Sequence, residues 1–257
     1  MCGRFVANTP TDELARFLGA PAPSAEDGLE PSHNVAPTQL IHAVHEPPVP
    51  PVPPQAADSA EDAVLGVRSL DTFRWGLVPS WAKDPRIGAR MINARAETVD
   101  TKNSFRSSFK KRRCIIAADG FYEWRRISGS AKKQPMFISN QNDVPFAFAG
   151  LWSSWRDPNR TNVDGTLYEL RTATILTCAA NATMAAIHDR MPVILASETW
   201  DYWLDPQVAD AAALKELLVP APADLLRMHP VSTKVNNARN NGPDLIKPIG
   251  VEHIGVE

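Results

Sequence analysis

Between Arg74 and Leu195 the chain is a succession of short apolar, aromatic and β-branched runs with little helical periodicity between them. Strands that follow one another without long crossovers join as hairpins and meanders. The product is an antiparallel sheet, and a long one curls on itself. The alternation and the turn residues predict strands at 74–78, 113–118, 121–125, 136–139, 146–151, 170–177 and 193–195. Asp119-Gly120 is the sequence of a tight hairpin turn between the second and third of these. Helices are peripheral. Thr9 is placed to cap one, with Pro10 in its first turn, Leu14, Phe17 and Leu18 on its apolar face and Gly19 at its end. Asn181 caps a short helix carrying Met184 and Ile187, with His188 near its C-terminus. Further helices are expected at 197–204 and 208–218, and irregular chain at 20–38 with a turn from Asn34 to Thr38. The expected fold is therefore α+β: a single domain with a curled, mostly antiparallel, barrel-like β-sheet core.

Residues 47–62 read PPVPPVPPQAADSAED and cannot bury a core. Too little chain precedes them to fold alone, so a surface loop at about 46–62 is expected rather than a linker. The domain is expected over 1–240, with a tail at 241–257. Three widely spaced cysteines, Cys2, Cys114 and Cys178, argue against a disulfide framework and for a reducing compartment. The absence of CxxC and HExxH gives no support to a metal or other cofactor. There is no run of eighteen apolar residues and no apolar segment behind Met1, so neither a membrane span nor a secretory signal is expected. The net charge of −2 conceals an asymmetry. Residues 72–134 hold fifteen Lys and Arg against five Asp and Glu, while the remainder holds twelve against twenty-four. One surface can then meet a polyanion, or simply be a solvated basic face.

Several residues carry chemistry. A small residue at position 2 permits removal of the initiator methionine, which would leave Cys2 with a free α-amine beside its thiol. Such an amine has a pKa of roughly 7.7–8.0, against about 10.4 for lysine, so it is a ready nucleophile toward an aldehyde. The thiol can then close a five-membered thiazolidine. An incidental small residue is the alternative. Asn93 and Arg95 lie two apart and share one side of an extended segment, where an amide and a guanidinium can orient a sugar and clamp its phosphate, or simply make surface hydrogen bonds. The tryptophans near them, in WGLVPSW, suit either stacked bases or the core. Glu123, between aromatics in a strand, is either a solvent-side residue or a carboxylate desolvated enough to move protons. His188, in HDRMP, is either a capping residue or a fixed acid–base. The run Lys110-Lys111-Arg112-Arg113 leads into a strand and suits a structured DNA-facing edge better than a localisation signal.

No single motif decides among these, but the ordered set does. MCGRF at the start, NVAPT, WGLVPSW, NARAET, GFYEW and HDRMP resemble the SOS-response-associated peptidase (SRAP) family from Cys2 to about Asn240. The resemblance implies a positively charged groove for single-stranded DNA containing abasic sites, and a Cys2 thiazolidine with the ring-opened abasic sugar. It implies that Glu123 handles protons near the Cys2 amine, that His188 assists sugar opening, and that Asn93 positions the reacting end. Arg4, Arg95 and Arg190 would hold phosphates, with Arg106 joining the DNA-binding set. Trp75 and Trp124 would stack on or wedge bases. It further implies shielding of the lesion, lyase or reversal chemistry and N-terminal autoprocessing, in a monomer of the cytoplasm that associates with the nucleoid when bound to DNA.

Three other readings compete. An N-terminal-nucleophile thiol hydrolase would also begin with cysteine, but it leaves the basic stretch without a purpose. A peptidase would use Cys2, His188 and Glu123. A non-covalent single-strand binding module would not need Cys2.

Overall fold

In a computed structural model, residues 2–24, 28–47 and 68–250 are described. The proline-rich part of the expected loop and the last seven residues lie outside them. In chain order the strands and helices are β1 (Phe5–Ala7), α1 (Thr11–Leu18), β2 (Ser32–Val35), β3 (Leu40–His45), β4 (Ser69–Trp75) and β5 (Asn93–Arg95). There follow α2 (Arg106–Lys111), β6 (Arg113–Ala118), β7 (Gly120–Arg126), β8 (Lys133–Asn140), β9 (Phe146–Thr161) and β10 (Leu167–Ala179). The last are α3 (Ala182–Ala185), β11 (Arg190–Pro192), α4 (Trp200–Leu204), α5 (Ala211–Glu216) and β12 (Leu226–Pro230).

Five strands close into a barrel. β10 pairs with β4, β4 with β3, β3 with β6, β6 with β9, and β9 returns to β10. Only the β4–β10 contact among these is parallel. A parallel pair needs a long crossover, and here most of the chain between them supplies it. β5 continues the line of β4 along β10, with Asn93 opposite Ile175 and Arg95 opposite Thr177. β11 pairs with the end of β10. A second, antiparallel sheet runs in the order β12, β8, β7, β1, β2. Phe121 from this sheet meets Phe146 and Phe148 from the barrel, with ring centroids 6.1 and 5.9 Å away. Burying each such ring stabilises the junction by roughly 1.5–3 kcal/mol.

The barrel and peripheral helices agree with the sequence, but the connections differ. β6 and β7 are not a hairpin. Asp119-Gly120 is where the chain leaves the barrel for the second sheet, because the start of β7 is covered by β1 instead, with Val6 opposite Gly120. A Cβ at Gly120 would lie 2.4 Å from the Phe137 ring, so the crossing needs glycine. The Asp119 carboxylate accepts the Asn8 and Thr9 amides at 2.6 and 3.0 Å and the Thr9 hydroxyl, and the Asp119 amide donates to the Val6 carbonyl at 2.8 Å. Thr9 is thus drawn to Asp119 and does not cap α1, whose N-cap is Pro10 without a side-chain bond. Gly19 ends α1 in the left-handed region, as expected. Asn34 and Val35 belong to β2 rather than to a turn, since β1 offers them a partner strand.

β9 and β10 run far beyond their apolar stretches, because their ends pair with each other as an exposed polar hairpin. The expected strand at 193–195 is a single bridge, Ile194 to Phe148, and the regular pairing falls one step earlier in β11. The domain also passes Asn240. Leu245 is buried and Val231 pairs with Pro248, so residues 241–250 are docked rather than a tail.

Burial holds the thiols of Cys114 and Cys178 above the ordinary value of 9.0, that of Cys178 at about 11. The unfolded chain then releases these protons first, and stability falls as pH rises past the ordinary thiol value, by up to about 1.4 kcal/mol per pH unit per thiol. For Cys178 the window closes near pH 11. Urea melts at pH 8 and pH 10 should show a clear loss at the higher pH, reduced in a Cys114→Ala, Cys178→Ala variant; equal losses in both proteins would contradict this.

Candidate active site

β1 is short and lies between β2 and β7, with Phe5 opposite both Val35 and Phe121. The Tyr122 amide donates to the Arg4 carbonyl at 2.9 Å, so the pairing continues toward the chain start. This seats Cys2 fully buried in the main core. Alternation along β7 sends Phe121 into that same core and Tyr122 into a second cluster, which Trp124 also packs against. Glu123 is only 4% exposed and shares the Phe121 face. Its carboxylate is near enough to act on Cys2. Burial, and then the Glu123 charge, push the Cys2 thiol far above its ordinary range and keep it protonated. Asn93, at the head of β5, donates from Nδ2 to the Cys2 carbonyl at 2.7 Å. Its Oδ1 is buried without a hydrogen-bond partner among the described residues. Cys2, Asn93 and Glu123, far apart in sequence, therefore meet at one point.

His188 and Arg190 stand at the end of β10. The His188 Nδ1 accepts the Arg190 amide at 3.0 Å and lies 2.8 Å from the Asp189 carboxylate. A neutral ring can take the first bond and a protonated ring the second, so the imidazole is held in place in either state. Arg190 is committed elsewhere. Its side chain is 12% exposed, pairs with both Glu97 oxygens and donates to the Thr177 carbonyl at 2.6 Å. That pairing holds Glu97 below the usual carboxylate range. Arg190 ties β11 to the segment after β5 and is not a free phosphate clamp.

Arg4 is likewise engaged: Nη1 donates to Asn34 Oδ1 at 2.7 Å and to the Val235 carbonyl at 2.9 Å. Asn34 is buried and donates in turn to the Asn237 and Asn240 carbonyls at 3.1 and 2.9 Å. This knot fastens the N-terminal strand to the C-terminal segment. From sequence Asn34 falls in a turn, and its only signal is membership of the NVAPT block. Trp75 does not face solvent at all. It is fully buried, edge-on to Phe5 at 5.1 Å, and its indole donates to the Ile92 carbonyl at 2.9 Å, so it cannot stack on a base. The exposed tryptophan of that block is Trp81, at 55%. Trp124 is half-buried, its indole donating to Asn236 at 2.7 Å. Arg95 and Arg106 are exposed. Arg113, expected at a DNA-facing edge, turns inward and donates to the Trp203 and Phe109 carbonyls at 2.6 and 2.8 Å, which satisfies carbonyls in the last turns of α4 and α2.

The family model described as SOS response associated peptidase (SRAP) matches residues 1–238. Among curated proteins the chain is similar to abasic site processing protein YoqW of Bacillus subtilis (strain 168), 40% identical over 247 residues, covering 96% of this chain and 99% of that one. It is also similar to abasic site processing protein HMCES of Xenopus tropicalis, 32% identical over 287 residues, covering 97% of this chain and 78% of that one. Among solved structures, a protein from Bacteroides thetaiotaomicron superposes with a TM-score of 0.77 at 23% identity, covering 96% of this chain and 100% of that one, a likeness of fold. One from Bordetella bronchiseptica gives 0.68 at 27% identity, covering 90% and 100%.

The two tryptophans should separate on mutation. Trp75→Ala should destabilise the protein by about 3–5 kcal/mol. Trp81→Ala should leave stability within about 0.5 kcal/mol of the wild type. Thermal melts distinguish the pair; the reverse pattern would overturn the assignment.

Proposed function

Because the chain belongs to the SOS response associated peptidase family, we propose that it processes abasic sites by capturing them covalently, in single-stranded DNA, through the amine and thiol of Cys2. The observation that carries this reading is the convergence on Cys2 of Asn93 and Glu123. The names of the curated relatives support abasic DNA as the target.

Removal of Met1 would free the Cys2 amine. The abasic sugar is mostly a closed hemiacetal, and His188, held by Asp189 and the Arg190 amide, is the group suited to move the protons that open it. The neutral amine attacks the aldehyde carbon, a C–N bond forms and water leaves, giving an imine. The thiol then adds across the C=N bond. Sulfur bonds to the carbon and the thiol proton ends on nitrogen, so aldehyde and aminothiol yield a thiazolidine and one water. Glu123 is the local base for relaying these protons. Asn93 holds the Cys2 carbonyl and so fixes where the nucleophile points. The protonated thiol suits this order of events. A thiolate would be the oxidisable form, whereas a neutral thiol waits until the imine is made. The exposed Arg95 and Arg106 would contact phosphates, and Trp81 and Trp124 would offer aromatic surface to bases. Such contacts read backbone and stacking, so base identity should matter little.

A single strand carrying one abasic site should give a heat-stable adduct on a denaturing gel with the processed protein. Cys2→Ala should abolish it, and acetylation of the terminus should too. A retained adduct in either case would remove the aminothiol mechanism. His188→Ala should slow formation or reversal by roughly 10²–10⁴-fold; unchanged rates would take His188 out of the chemistry.

A further inference from the structure

A cleft of about 860 Å³ opens beside the barrel, between the segment that joins α2 to β6 and the outer parts of β9 and β10. None of its walls belongs to the candidate active site. Lys111 and Arg112 form one side, and Trp152, Arg156, Glu169 and Arg171 the other. Arg156 and Arg171 share Glu169, each at 3.9 Å, and Arg171 also reaches Asp71 at 3.0 Å. Lys111 and Arg112 have no carboxylate partner among the described residues. The Arg112 guanidinium lies 5.9 Å from the centre of the Trp152 ring, and its Nη2 donates only to the Ser107 hydroxyl, at 3.3 Å. Its Nε and the Trp152 indole nitrogen are both buried without a hydrogen-bond partner among the described residues. Trp152 is more than nine-tenths buried.

Orphaned buried donors are costly, and these two lie behind the surface of a cationic cleft, on residues that line it. The Arg112 guanidinium, with no carboxylate beside it, asks for an acceptor that carries negative charge. Burial alone already holds Arg112 below its ordinary pKa, the mark of a guanidinium lacking a counter-ion. A phosphate group suits the site. Its oxygens can take N–H bonds from the guanidinium end of Arg112, while Lys111 supplies point charge. The Trp152 ring is too deeply buried to stack a base, so the site reads the phosphate and not the nucleobase.

We propose that this cleft is a second phosphate-binding subsite, occupied by a backbone phosphodiester of the same DNA strand whose abasic site lies at Cys2. Only the source of the phosphate rests on the DNA reading above; the phosphate chemistry does not. Arg171 lies four residues along β10 from Ile175, the residue that faces Asn93. At about 3.3 Å per residue the subsite stands roughly 13 Å along that strand from the Asn93 register. A strand long enough to run past the active site would reach it, and a short one would not.

The test measures the salt dependence of binding to intact single strands of two lengths, together with calorimetric titration of pyrophosphate, in the full chain. On the long strand, a Lys111→Gln, Arg112→Gln variant should lower the slope of log K against log salt by about 0.7 for each phosphate that is no longer neutralised, with the short strand unaffected. Arg112→Lys should restore part of the slope. Lys111→Gln alone, at the rim, checks that the result does not come from misfolding, and thermal melts accompany every variant. If pyrophosphate binds the wild type and not the double variant while the long-strand slope is unchanged, the phosphate is that of a free metabolite. If the slope is unchanged and pyrophosphate gives no heat with the wild type, the subsite does not exist. Cys2→Ala should lose the adduct and keep the slope, so failure of the capture chemistry would not be mistaken for failure of this proposal.

Discussion

The seating of three residues, Phe5 to Ala7, between β2 and β7 is the contact on which the site depends. A chain terminus ordinarily frays, since its backbone groups find water as readily as protein. Here the backbone of β1 is paired on both sides, Asp119 gathers the amides that follow it, and the Asn93 amide holds the carbonyl of Cys2 ahead of it. Arg4 and Asn34 add a knot to the C-terminal segment. The start of the chain is thereby tied down as a core strand is. A nucleophile placed there, as proposed for Cys2, would lose little further entropy on reacting.

Rigidity comes with burial. Cys2 sits among core residues with a carboxylate beside it, and both effects disfavour the thiolate. A conventional cysteine nucleophile has the opposite surroundings, cationic and partly open. These surroundings fit the proposed mechanism, in which an amine acts first, better than one that needs an activated sulfur at the outset. The arginines show a similar division of labour. Arg4, Arg113 and Arg190 are engaged inside the protein by carbonyls and Glu97, while Arg95 and Arg106 remain on the surface.

The strands were legible wherever apolar residues alternate, and β6 matches its expected bounds. The sheet to which each strand belongs was not. Asp119-Gly120 has the sequence of a hairpin turn, and local chemistry alone favours one. It is overruled because β1 occupies the edge of β7 that β6 would have taken. The polar ends of β9 and β10 had no alternation to announce them and exist as strands only because each pairs with the other. Among site residues, the common face of Asn93 and Arg95 could be read from spacing, as could the separation of Glu123 from Tyr122 and Trp124. Which tryptophan of WGLVPSW faces solvent could not, since Trp75 and Trp81 have the same side chain and differ only in what packs around them.

The sequence by itself determined the family, the α+β class and which residues are candidates for chemistry, because these follow from residue type, order and local periodicity. Tertiary structure decided which of those groups meet. The distance from Cys2 to Asn93 and Glu123, the capture of Arg190 by Glu97 and the inward turn of Arg113 all depend on pairings between segments remote in the chain. Such pairings are set by the competition of every strand edge and buried donor for a partner, and no local stretch of sequence contains that competition.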